Sequence, residues 1–370
     1  MSNILSYIKK YGHLSFEELD FNEVDNLIFS QLIYINFSNI VPNKISKTEY
    51  TSIKNATEEY YKIHKTLKAS IGLLIPDEIL PMLKQLSECN RFANLKLHGY
   101  IQETNQKEIK QFSSIAIEIK ENLYYIAFSG TDDTIIGWKE DFNMGFMNFI
   151  PAQKTALKYL NKYMNSLDGK FILGGHSKGG NLAIYAASKC PFYKKNDIIN
   201  IYNNDGPGFN KKIIDSIGYK QIEEKIIHFV PESSIVGLLF NHTGKLNIVK
   251  SNQIGLFQHD AFSWKTANNQ FIGLSELSAE SKLINESLKT WLAEMSESEI
   301  KEFINSLFDI LESPEASTLT ELAFEKFFNL FKNVDNNDVK TVFKHLSNLI
   351  NASRKIIRQN IADKLNPIGE

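Results

Sequence analysis

Apolar and polar positions change their period along the chain, and each change predicts an element. In residues 1–40 the spacing is helical. Val24, Leu27, Ile28, Leu32 and Tyr34-Ile35 fall on one face, behind Asn22 as a capping residue, so two helices are predicted. Residues 41–90 read as helical with loops, and Pro76 and Pro81 bracket a short element at Asp77–Leu80. From Leu95 the period becomes two. Leu95–Ile101, Ser113–Lys120 and Leu123–Phe128 read as strands, with Glu121-Asn122 as the turn between the last pair. A helix is predicted near 151–166. Strands follow at 171–174, 198–204, 225–230 and 246–250 (the last), with helices at 181–188 and 210–218 between them. Strands alternating with helices predict a mostly parallel central sheet flanked by helices.

Beyond Trp264 the pattern turns helical again. Residues 275–362 carry Leu283, Leu288, Trp291-Leu292, Phe303, Leu307, Phe324, Phe327-Phe328, Phe331, Phe343 and Leu349 at apolar positions, broken at Glu312–Glu315. This divides the chain into N-terminal helices at 1–94 (a candidate cap), an α/β core at 95–268 and a helical extension at 269–370. The last helix, Ser353–Lys364, is basic and amphipathic. It is a candidate for peripheral contact with anionic lipid, and the extension is a candidate protein-binding surface.

Composition narrows the function classes. The chain of 370 residues is 43% hydrophobic and 23% charged with a formal net charge of -2, so no basic field recruits nucleic acid. Cys89 and Cys190 form no disulfide framework and lack metal-ligand spacing, which suits packed thiols in a reducing compartment. The first ten residues lack the order of a signal peptide, and no apolar run reaches membrane-spanning length; a cytoplasmic protein is expected. No cofactor or metal is expected.

Candidate chemistry concentrates at Phe171–Ala183. An apolar run breaks at Gly175-His-Ser-Lys-Gly179 and resumes as a helix. Strand, tight turn with serine at the apex, then helix is the setting of a nucleophile elbow, and the helix N-terminus points its dipole at the serine. Ser177 needs a base. His228 lies mid-strand and His242 in a polar turn. His259 follows the last predicted strand, where a loop can fold back over the sheet edge, so it is the candidate base. The acid is Asp205 or Glu232, each at the end of a strand, with Asp205 preferred for its flanking Gly206 and Gly208. Asp260 points elsewhere in most backbone geometries. The main-chain N–H groups of Thr131 and Lys178 are the candidate oxyanion donors.

These residues resemble known enzymes. Phe128-Ser-Gly-Thr131 with Trp138 and Asp141, and the Gly-His-Ser-Lys-Gly elbow, resemble the corresponding segments of class 3 lipases. To about residue 265 the chain is similar to a group of bacterial lipase-like α/β-hydrolases with no assigned substrate. The shared segments are Ser15–Glu18, Phe21–Asn26, Phe128–Asp133, Gly174–Asn181, Asn204–Phe209, Val230–Gly237 and Gln258–Asp260. The resemblance implies an α/β-hydrolase fold with a C-terminal helical extension and, at Thr131, a residue lining the oxyanion hole. Where the lipases carry their acid before an Ile-Val-Pro-type sequence, this chain has Ser234, and Ser129 replaces their arginine. The function expected is a serine hydrolase of carboxylic esters, acting on a small-molecule or lipid ester. The alternatives are a catalytically silent fold used for binding or scaffolding and, more weakly, a peptidase or thioesterase.

Overall fold

The computed structural model describes residues 2–64, 76–132, 135–144 and 147–311, with Thr341, Lys344, His345, Asn348 and Ile356. The break at Glu312–Glu315, the apolar positions Phe324, Phe327-Phe328, Phe331, Phe343 and Leu349, and nearly all of the basic helix Ser353–Lys364 lie outside the described residues, as do the side chains of Trp138 and Phe142. No helix among the described residues is long and apolar enough to cross a membrane.

The chain opens with helices α1 (Ile4–Tyr11) and α2 (Glu23–Leu32), then strand β1 (Thr51–Ser52), α3 (Ile53–Ile63), α4 (Ile79–Glu88) and α5 (Asn90–Ala93). Strands β2 (Lys96–Asn105), β3 (Lys110–Lys120) and β4 (Leu123–Phe128) follow, then helices α6 (Ile135–Asn143) and α7 (Pro151–Ser166). Strand β5 (Lys170–His176) leads into α8 (Lys178–Lys189). Next come β6 (Ile198–Asn204), α9 (Lys211–Ile214), α10 (Ile217–Lys220), β7 (Ile226–Pro231) and β8 (Leu246–Val249). Short strands β9 (Thr266–Ala267), β10 (Gln270–Phe271) and β11 (Gly273–Leu274) precede α11 (Ala279–Ala293) and α12 (Glu297–Leu311).

Asn22 caps α2 as predicted, in a reciprocal capping box with Asp25. Pro81 does not bound an element. It occupies the first turn of α4, where its missing N–H has no intrahelical acceptor to lose. The helix expected at 210–218 is split into two single turns.

Nine strands form one sheet in the order β1-β2-β3-β4-β5-β6-β7-β8-β11. The expectation of a mostly parallel sheet is corrected: the sheet is mixed. Pairing is parallel from β4 through β8 and antiparallel at β1–β2, β2–β3, β3–β4 and β8–β11. Connection length decides this. The two-residue turn with Asn122 at φ 58° can only reverse the chain, whereas the α8 crossover returns it in the same direction. Strand β8 is also not the last, because β11 pairs beside it.

The period of two divides the sheet between two cores. Tyr125 and Ala127 of β4 face the N-terminal helices, with Ile115 and Ile172. Tyr124, Ile126 and Phe128 face α7 and α8, with Leu173 and Ile201. Both faces are thus covered, and polar chemistry is left to the ends of the strands.

Candidate active site

The parallel register brings the site together. Phe128 pairs with Gly175, and His176 pairs with Asn204, so β4, β5 and β6 end side by side. The residues just beyond are Gly130-Thr131, Ser177 and Asp205.

Ser177 is at φ 57°, ψ −134°, a conformation that costs a non-glycine residue of order 1–3 kcal/mol. The main chain holds it there. Its N–H donates to the Asn204 carbonyl at 2.9 Å, and its carbonyl accepts from Gly180 N at 3.0 Å. The turn is so tight that a Cβ on Gly179 would collide with the Phe128 carbonyl. Gly130 is similarly constrained, by the Tyr34 hydroxyl and the His176 carbonyl.

His259 ends a 3-10 turn at Gly255–His259. Its Nδ1 lies 2.6 Å from Asp205 Oδ2; the imidazole is 26% exposed and the carboxylate 1%. The Asp205 main chain is also left-handed, at φ 52°, and this turns its carboxylate across the sheet edge. Its other oxygen, Oδ1, accepts from Ser234 Oγ at 2.5 Å and from Gly237 N at 3.2 Å. Glu232 takes part in none of this. Its main chain bonds to Val249 and Ser278, and it lines a cavity of about 410 Å³ with Leu274–Ala279 and Lys282. Asp260 turns back to accept from Phe262 N at 2.9 Å, and burial pushes its carboxyl up to about 6.

His176 braces the candidate base. Its ring packs 4.5 Å from the His259 ring, centroid to centroid. Its Nε2 lies 2.8 Å from the His259 carbonyl, and Tyr34 Oη lies 3.2 Å from its Nδ1. A carbonyl can only accept, so Nε2 carries the proton and the Tyr34 hydroxyl donates to Nδ1. Burial and the neighbouring His259 hold the His176 pKa well below its ordinary value, so it stays neutral. Gln258 secures the same turn by accepting from Ser233 N at 2.8 Å and, through its carbonyl, from Trp264 Nε1 at 2.9 Å.

The oxyanion candidates are tied together by a buried network. Lys178 Nζ donates to Gln111 Oε1 at 2.6 Å, to the Gln111 carbonyl at 3.1 Å and to Glu140 at 3.1 Å, with Asp141 at 3.6 Å. Burial pulls the Lys178 pKa down, but Glu140 and Asp141 outweigh it and the net shift is upward, so the ammonium persists. Asp141 accepts from the Thr131 hydroxyl, and burial pushes its carboxyl up to about 6 against the pull of Lys178. Helix α6 thereby joins the two residues whose N–H groups were read as oxyanion donors.

Below the elbow, Asn204 Nδ2 donates to Ser30 Oγ at 3.0 Å and to the Gly175 carbonyl at 3.2 Å. Asn26 Nδ2 donates to Asn204 Oδ1 at 2.9 Å. Helix α2 is therefore bonded to the strands that carry the site. His228 is buried in β7, as its position suggested, and its ring meets that of His242 edge-on at 5.1 Å.

Several of these residues were missed in the sequence. Lys178 was read only for its main chain, Ser234 only as a vacant acid position, Asn26 only within a shared segment, and Tyr34 only as a helix position, although α2 ends before it. Two signals were available: a charged residue inside an otherwise apolar strand-turn-helix, and an Asn-Asp pair ending a strand. Among the described residues no group of three His, Cys, Asp or Glu side chains is placed to hold a metal ion.

Among solved structures, the chain is similar to a crystal structure of M37 lipase at 18% identity, covering 58% of this chain and 69% of that one with a TM-score of 0.34. No curated protein matches it. Residues 86–309, which run from α4 through nearly all of α12 and so include the elbow, the His259 turn and the Asp205 strand end, match the Mbeg1-like family model, and the chain belongs to the Mbeg1-like family.

Proposed function

We propose that the protein is a serine hydrolase that cleaves carboxylic esters through Ser177, His259 and Asp205. Membership of a lipase-like family points to a hydrolase. The observation that carries the finer reading is the 2.6 Å contact between His259 Nδ1 and Asp205 Oδ2, beside a serine held in a strained elbow. With Nδ1 engaged by the carboxylate, His259 Nε2 is the nitrogen left to take the serine proton.

In this reading Ser177 Oγ attacks the ester carbonyl as His259 takes its proton. The oxyanion forms against the Thr131 and Lys178 N–H groups. The C–O bond to the leaving alcohol breaks as His259 returns the proton to that oxygen. Water, deprotonated by the same imidazole, then attacks the acyl-enzyme, and the acid departs with Ser177 restored. The ammonium of Lys178 is committed to Gln111 and Glu140, so its part is to fix the main chain that carries the second donor.

A fluorophosphonate probe should label the wild type and leave Ser177→Ala unlabelled. A folded wild type that fails to react, or a Ser177→Ala variant that reacts equally, would refute the assignment. A series of p-nitrophenyl esters of increasing chain length then ranks small-molecule against lipid substrates.

A further inference from the structure

We propose that Ser234 is the positioning residue of the triad acid, and that the helix following the sheet, α11, holds Ser234 in place through Ser281. This rests on the reading of Asp205 as the acid. Ser234 is 2% exposed and its Oγ lies 2.5 Å from Asp205 Oδ1. The same Oγ accepts from Gly237 N at 3.1 Å, which directs the hydroxyl proton to the carboxylate. Asp205 Oδ1 thus has two donors from one turn. These fix the rotation of the carboxylate about its last bond, which leaves Oδ2 aimed at His259 Nδ1. Carboxylate torsions of this kind are soft, so orientation must come from neighbours.

The turn is held in turn by α11. Ser281 Oγ donates to the Ser234 carbonyl at 2.5 Å, and Ser278 N donates to the Glu232 carbonyl at 2.8 Å. Ser233 Oγ and Ser278 Oγ lie 3.0 Å apart. Ser281 is 1% exposed and Ser278 caps the helix, accepting from Ser281 N. The base rests on the same turn, since Gln258 accepts from Ser233 N. The helical segment that follows the sheet thereby reaches Asp205 through Ser234 and the His259 turn through Ser233.

The test uses the full chain with Ser234→Ala and Ser281→Ala. The first readout is the low-field NMR resonance of the His259 Nδ1 proton, which depends on the bond to Asp205 and not on turnover. In Ser234→Ala it should move upfield and exchange faster with solvent. The second readout is ester hydrolysis. Loss of a hydrogen bond to an ionised carboxylate should lower kcat roughly tenfold with KM unchanged, and Ser281→Ala should lower it about two- to fivefold. An unchanged resonance and a kcat within twofold of wild type in Ser234→Ala would overturn the proposal. The same result confined to Ser281→Ala would overturn the role of α11. A wild type without hydrolysis would instead remove the ester-hydrolase reading, and the resonance would still decide the role of Ser234.

Discussion

Asp205→Asn separates orientation from packing. Asparagine tolerates the left-handed backbone that Asp205 adopts at φ 52°, so the main chain gains no strain. The Ser234 hydroxyl and the Gly237 N–H both face the Oδ1 position, and the N–H can only donate. The amide oxygen must therefore occupy Oδ1 and the NH₂ group must occupy Oδ2. That NH₂ group then donates to His259 Nδ1, from the place where a carboxylate accepted at 2.6 Å. The imidazole is driven to the tautomer with its proton on Nε2, which cannot take a proton from Ser177. A wrong-tautomer triad costs about 10⁴ in kcat, or about 5 kcal/mol of transition-state stabilisation. The assay is the rate of fluorophosphonate labelling alongside p-nitrophenyl ester hydrolysis, with thermal unfolding to show that the fold persists. Glu232→Gln is the matched control and should stay within about twofold, since Glu232 faces a separate cavity. Activity above about a tenth of wild type in a folded Asp205→Asn would refute the reasoning, because no tautomer argument survives so small a loss.

Ser177→Gly should be more stable than Ser177→Ala by about 1 kcal/mol, since glycine adopts φ 57° freely; equal urea midpoints would show that the elbow stores no strain. Lys178→Met removes a wholly buried ammonium and leaves the Glu140 carboxylate and two Gln111 acceptors short of a partner. Denaturant unfolding should show a loss of about 3–5 kcal/mol, partly recovered by adding Glu140→Gln. Burial depresses His98 and His242 to about 4 and His228 to about 3, with neighbouring Lys96, His242 and Lys289 adding to it. A depressed histidine contributes stability above its unfolded value near 6.5 and loses it as pH falls through the folded value, so urea midpoints should fall steadily from pH 6.5 to 4. A flat profile across that window would contradict the burial of these rings as neutral groups.

Local chemistry was legible along the chain. The elbow needs only neighbouring residues: an apolar strand, small residues at 175 and 179, and a helix whose first N–H groups meet the serine. Asn22 as a cap and Asn122 in a reversing turn are equally local, since Asn22 accepts from the N–H groups of Val24 and Asp25 and Asn122 adopts the left-handed backbone that the turn requires. The direction of strand pairing was less legible. The alternation in β2 and β3 says that each has two faces, but the loop lengths between elements, and not the alternation itself, decide whether a neighbour runs parallel. Pro81 misled for a related reason, because a proline that ends one helix is harmless in the first turn of the next.

What the sequence by itself determined was most of the longer elements, the two faces of the long strands and the identity of Ser177 and His259 as the reactive candidates. These follow from periodicity and from interactions within a few residues. Tertiary structure alone decided which carboxylate meets His259. Asp205 and Glu232 both end strands and both are followed by turns, so the local sequence, with Gly206 and Gly208 beside Asp205, set a preference and not a choice. The choice rests on a left-handed main chain at Asp205, a serine at 234 that donates where an acid was expected, and a Gly237 N–H from the same turn. It rests as well on contacts made across 178 residues between Asn26 and Asn204 and across 47 between Ser234 and Ser281. Hydrogen-bond direction is a property of assembled neighbours, and the chain acquires it only when the strand ends come together.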